Sequence, residues 1–294
     1  MVYIKKLVFA PLFLIVFAFL IYQSAPILKS YEAIFALSTT VLINLILISS
    51  LICLSSLSFV IFATFANNWK FSLPIAISAS FMPIILINQL AGLILSVGFL
   101  VSFLITLVIL DSSLKKYLDF QPASILGPPI KQLAGLLIIS ISLTYFVSVN
   151  TIIQQQGFQI PDSLIDTALK FSAPTTPNSP DLPQLSIPPD QLELLKQSGL
   201  DPSILDNLNS PKTQNTPNDL LKQTVKDQLQ GLIKPYQAFV PAILAVLLFL
   251  TLQSLTSILN LLTYPLLWLT FFILEKSGFV KFVTEQRPVK KLMV

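Results

Sequence analysis

Apolar residues fill this chain in long uninterrupted blocks, without the alternation of a half-buried strand or the one-faced periodicity of a surface helix. No Asp, Glu, Lys or Arg occurs in 7–28, 33–69, 71–110, 132–161 or 235–274. A soluble helix of such length would carry charges on its solvent face. A bilayer core takes about 20 apolar residues of helix to cross, so the five blocks hold five or six spans. The pattern predicts spans over about 7–23, 33–66, 71–88, 91–110, 133–149 and 235–274.

Two blocks are long enough for two spans each, and the flanking lysines decide between the readings, because short loops rich in Lys and Arg stay cytoplasmic. Lys5 and Lys6 put the N-terminus inside, 24–32 forms an outer loop, and Lys70 returns the chain to the inside. At the midpoint of 71–110 the sequence NQLAG (Asn88–Gly92) suits a surface turn. Two spans there bring Lys115 and Lys116 inside, whereas one would leave them outside. In 235–274 the same test favours a single crossing, which brings Lys276, Lys281, Arg287, Lys290 and Lys291 inside together. A helix that long should bend at Pro241 or Pro265, where a missing N–H and a ring clash break the ladder. A re-entrant turn in this run is the alternative. The first run is read as an uncleaved anchor, since QSAPILK after Tyr22 lacks an A-x-A site.

Between these spans the pattern changes twice. Residues 111–132 read as an interfacial cytoplasmic loop, with Leu114, Tyr117, Leu118 and Phe120 beside Lys115 and Lys116. Residues 150–234 read as an extracytoplasmic insertion of short capped helices. Pro161-Asp162 precedes SLIDTALKF, Asp190 precedes QLELLKQSG, Asp201-Pro202 opens SILDNL, and Thr216-Pro217 opens NDLLKQTVKDQLQGLIK. Its six lysines do not oppose an outer location, because the charge rule weakens in loops longer than about 60 residues. The proline-rich SAPTTPNSPDLPQLSIPPD (172–190) is read as an extended spacer between the first of these helices and the rest.

Composition sharpens the class. The chain of 294 residues is 54% hydrophobic and 11% charged, where a soluble domain carries about 25% charged residues. The net charge of +4 comes from lysine, with Arg287 the only arginine. These cations flank the apolar runs instead of sharing one surface, so nucleic acid is not an expected partner. The tail 275–294 and Lys115–Lys116 are expected to rest against anionic headgroups, at about 1 kcal/mol per basic residue. With no histidine and with Cys53 as the only cysteine, neither a disulfide within the chain nor a Cys/His metal cluster can form. Cys53, within SSLICLSSLS, reads as a small packing residue. No cofactor is expected.

Membrane enzymes and ion-coupled carriers place costly ionisable groups at depth, and the predicted spans hold none. Neither HExxH nor G-x-x-x-x-G-K-[ST] occurs. The polar residues inside the spans are uncharged. Gln253, Ser257, Asn260 and Tyr264 follow an i, i+4, i+7, i+11 spacing that puts them on one helical face. Thr40 and Asn44 form a second such pair, and Ser49, Cys53 and Ser56 form a small-residue ridge. Interhelical contact explains such residues at about 0.6 kcal/mol per pair; the functional alternative is the wall of a hydrophilic path.

Together these features predict an all-α polytopic integral membrane protein of the plasma membrane, with six spans and both termini cytoplasmic. Its expected role is non-enzymatic scaffolding or assembly, with the bilayer and a membrane or extracytoplasmic protein as partners. A transporter or channel for a neutral or lipid-like substrate, using Gln253, Asn260 and Asn44, is the second function class.

Overall fold

The computed structural model describes residues 8–31, 39–66, 68–87, 89–116, 120–161, 165, 223, 226, 228, 230, 231 and 233–280. Among these residues the protein is helical, without strands. The helices are α1 (Phe9–Lys29), α2 (Thr39–Ala66), α3 (Trp69–Leu86), α4 (Gln89–Lys116), α5 (Pro122–Gln156), α6 (Val240–Leu259) and α7 (Thr263–Lys276). A 3-10 stretch over Lys234–Phe239 precedes α6, and a 3-10 turn over Asn260–Leu262 joins α6 to α7. Counting Lys234–Lys276 as one, six helices are long and apolar enough to cross a membrane.

Local chemistry sets the ends of several helices. Asn68 caps α3, its side-chain oxygen accepting from the Lys70 N–H at 3.0 Å. At the other end of α3 the Ile87 N–H donates to the Pro83 carbonyl at 2.9 Å, and α4 begins at Gln89. Gln89–Gly92 of the expected NQLAG turn are therefore the first residues of α4, and Gly92 is what lets α4 approach α3 there. A Cβ on Gly92 would stand 2.7 Å from the Pro83 carbonyl oxygen. Proline also explains the break before α7: Pro265 has no N–H for the Leu261 carbonyl, so the preceding turn tightens into the 3-10 form.

The segment expected as a loop over 111–132 is helical at both ends. Asp111–Lys116 continues α4, and α5 begins at Pro122, with Pro128 and Pro129 inside it. Pro122 stands at the first helical position, where its missing N–H costs nothing. Its 35 residues span about 52 Å, so the span expected over 133–149 lies within a longer rod.

The chain divides into two compact units, Met1–Gln155 with Val240–Val294, and Gln156–Phe239. In the first, α1 lies against α2, α3 against α4, α1 against α3, and α6 against α2. Its centre is aromatic. Phe13 and Phe17 of α1, Phe59 of α2, and Phe99 and Phe103 of α4 are all fully buried or nearly so. Ring centroids lie 4.6 Å apart for Phe59–Phe103, 5.0 Å for Phe13–Phe59 and 5.0 Å for Phe17–Phe99. A second aromatic layer closes one end of the unit: Phe65 stacks on Phe9 at 5.1 Å and on Phe271 at 5.9 Å, with Phe279 edge-on to Phe9 and Phe65. Between α4 and α5 the contact is made by small residues. The Ser102 and Ser140 hydroxyls lie 3.3 Å apart, and a Cβ on Gly98 would meet the Ser140 Oγ at 2.8 Å. Near the far end, the Ser148 hydroxyl donates to the Leu28 carbonyl, one of the last carbonyls of α1, which have no partner within their own helix.

In the second unit, Gly157 takes a positive φ of 75° after the end of α5, a conformation that favours glycine. Phe158, Ile160 and Ile165 are buried, and the Gln230 amide donates to the Phe158 carbonyl at 3.2 Å. Gln223, Lys226, Gln228, Gln230, Gly231 and Ile233, all from the fourth expected short helix, are helical. The spacer 172–190 and the helices expected at 190–206 lie outside the described residues.

Candidate functional site

Serine and threonine are plentiful in the spans, and most hydroxyls are satisfied locally. Those of Ser24, Ser56, Thr64, Ser80, Thr106 and Thr144 each donate to the carbonyl four residues back, at 2.7–2.8 Å. This bond removes the cost of a free hydroxyl in lipid or in a packed core. Such residues let helices approach closely.

The uncharged residues expected on one face of the last span are divided by the 3-10 turn. Gln253 and Ser257 sit on α6 and are exposed; the Ser257 hydroxyl donates to the Gln253 carbonyl at 2.7 Å. Asn260 opens the 3-10 turn and faces α2. Its Oδ1 lies 3.7 Å from Cys53 Sγ and 3.4 Å from Thr263 Oγ1, both as donors. Cys53 Sγ also lies 3.9 Å from the Thr256 carbonyl. Cys53, read as a packing residue, thus stands at the α2–α6 seam. Asn44 and Thr40 are exposed on α2, apart from that seam. Tyr264, on α7, turns to α5. Its ring carries Lys131 Nζ at 4.7 Å from the centroid, and its hydroxyl lies 3.5 Å from the same nitrogen. A Cβ on Gly127 would meet that ring at 3.1 Å, so the close approach of Tyr264 needs a glycine there.

Comparison of the chain with protein-family models, with curated proteins and with solved structures finds no match. Function is therefore read from geometry alone.

The basic anchors are placed in part. Lys115 pairs with Asp111 one turn earlier, at 2.6 Å, and Lys116 closes α4. Lys276 lies over the Phe272 ring at 5.0 Å, and Phe272 stacks on Trp268 at 5.3 Å. Trp268, Phe272 and Lys276 follow one another by four and form an exposed column of the kind that sits at membrane–water boundaries. Lys281, Arg287, Lys290 and Lys291 lie outside the described residues. Among the described residues, no group of three or more His, Cys, Asp or Glu could hold a metal ion.

Three features escaped the reading of the sequence. The Phe13/Phe17 and Phe99/Phe103 pairs, each at i, i+4, mark the faces that build the aromatic centre. Gly98 and Ser102 share the same spacing, a small-xxx-small signal for close helix approach. Lys131, within the stretch 111–132 expected as a loop, lies ten residues into α5. The two prolines that concealed this are accommodated within the helix.

Proposed function

We propose that this is a non-catalytic multi-pass protein of the plasma membrane, with both termini in the cytoplasm. It presents residues 150–234 outside the cell and scaffolds or joins an assembly through them. The observation that carries this reading is the filled centre of the membrane unit. Five interlocking phenylalanines occupy the middle of α1, α2 and α4, at centroid separations of 4.6–5.6 Å among the neighbouring rings of different helices. A carrier or channel needs a polar path at that position. Of the uncharged contacts such a path would use, Gln253 and Asn44 are exposed on their helices, and Asn260 is engaged by Cys53 and Thr263.

Charge supports the orientation. Lys5, Lys6, Lys70, Lys115 and Lys116 flank the ends and short loops read as cytoplasmic, as the bias of Lys and Arg in short loops requires.

Photo-crosslinking from positions within 150–234 in intact cells tests the proposal. One specific protein partner should be captured, and deleting 172–230 should abolish the capture while the membrane unit still accumulates. Recovery of no defined partner, or of the same partner after the deletion, would remove the scaffold reading.

A further inference from the structure

Lys131 is a cation within a span-length helix, and no carboxylate pairs with it among the described residues, where the ion pair is Lys115–Asp111. Its depth follows from its neighbours. Asn260 stands beside Cys53, and Phe271 stands beside Phe65 in the aromatic end layer. Tyr264 lies between these levels, seven residues before Phe271, or about 10 Å along the helix. The Tyr264 ring and hydroxyl hold the ammonium but do not neutralise it. Lys131 is exposed on the outside of the bundle, and an ionisable side chain at this depth, without a counter-charge, is costly and marks a site.

The surface next to this cation is shaped to take a chain. Lys131, Gly135, Ile139 and Leu143 follow one another by four and so share one face of α5. A Cβ on Gly135 would meet nothing within 4 Å, and Ile139 and Leu143 are 51% and 56% exposed. An open apolar track therefore begins at a charged nitrogen and runs away from the aromatic end layer.

We propose that the seam of α5 and α7 binds one anionic phospholipid from the bilayer. Its phosphate sits on Lys131 Nζ, with the Tyr264 hydroxyl as a second donor, and one acyl chain lies along Gly135, Ile139 and Leu143. Basic pockets between spanning helices hold anionic headgroups by this combination of charge and apolar wall. A zwitterionic lipid brings its own ammonium and leaves the Lys131 charge uncompensated, so the site prefers net-negative lipids. This inference does not rest on what residues 150–234 join.

Trp268, one turn from Tyr264, reports on the site. The full chain with Trp69→Phe retains Trp268 as its single tryptophan. It is placed in phosphatidylcholine nanodiscs containing a minor fraction of brominated phosphatidylglycerol or, separately, of brominated phosphatidylcholine. Phosphatidylglycerol should quench Trp268 with about a five-fold apparent preference, the factor that one near-surface lysine supplies. Lys131→Gln should erase the preference, Lys131→Arg should keep it, and Lys276→Gln should leave it intact. Equal quenching by the two lipids in the parent chain overturns the proposal, whether or not Lys131→Gln folds. A preference lost in Lys276→Gln and retained in Lys131→Gln overturns it as well. Inorganic phosphate added to the discs should not relieve the quenching; relief would assign the site to free phosphate instead of lipid.

Discussion

At the scale of single residues, stability in this protein is set by close approaches and by a few unpaired hydroxyls. Gly92 faces backbone: the Cβ of an alanine there would stand 2.7 Å from the Pro83 oxygen and 3.2 Å from the Ile84 Cα. Neither can turn away, so α3 and α4 must separate. Gly92→Ala should cost about 1–3 kcal/mol, the usual range for overpacking, and should lower the thermal unfolding midpoint in detergent. Gly98→Ala meets the Ser140 Oγ at 2.8 Å and its Cβ at 2.9 Å, and the hydroxyl is held by the Leu136 carbonyl at 2.9 Å and by Ser102. A loss in the same range is expected, and it should be smaller when measured in a Ser140→Gly background, which lacks both atoms. Tyr145 presents the opposite case. It is fully buried, and its hydroxyl has no hydrogen-bond partner among the described residues. Tyr145→Phe keeps the ring and removes the orphan, so the unfolding free energy should stay level or rise, by about 1 kcal/mol at most.

At the scale of elements, the α2–α6 seam gives a direct test of the fold. Cys53 Sγ approaches Asn260 Oδ1 at 3.7 Å, and the chain has no second cysteine. Asn260→Cys should therefore oxidise readily to a disulfide with Cys53, while Gln253→Cys, exposed on α6, should not. Cleavage within 150–234 separates the two halves of the chain, so non-reducing electrophoresis reads the bond directly. Had α6 packed with its Gln253 face inward, the two outcomes would be exchanged. The existence of these elements was legible from the charge-free blocks together with the flanking lysines: six span-length helices are found among the described residues, as expected, although α1 runs on to Lys29 through most of the expected outer loop. The break between α3 and α4 was legible near NQLAG, although Gln89–Gly92 of that stretch belong to α4. The early start of α5 was not, since Gly127-Pro128-Pro129 carries the signals of a loop, and only the packed surroundings keep it helical. The bend of the last helix was legible in Pro265, but its consequence was not. A 3-10 turn changes the angular spacing, so residues four apart on an ideal wheel end on different neighbours, with Asn260 against α2 and Tyr264 against α5.

At the scale of the whole molecule, the proposed topology turns on the number of times the chain crosses after residue 234. One crossing puts the last five basic residues, Lys276 to Lys291, in the cytoplasm with Lys5, Lys6, Lys70, Lys115 and Lys116. Two crossings would strand them outside, against an inner leaflet charge that attracts them by about 1 kcal/mol each. The 3-10 turn at Asn260–Leu262 does not reverse the chain, because Cys53–Asn260 and Phe65–Phe271 follow α2 in the same direction on both sides of it. In a Cys53→Ser background, single cysteines at Asn88 and Ser179 should react with a membrane-impermeant maleimide in intact cells. Cysteines at Asn67 and Thr284 should react only after permeabilisation. Labelling of Thr284→Cys in intact cells, with Asn67→Cys still protected, would mean that the last run crosses twice. Labelling of Asn67→Cys and Thr284→Cys but not Ser179→Cys would invert the molecule, place 150–234 inside, and withdraw the outer scaffold while leaving the packing of the six helices unchanged.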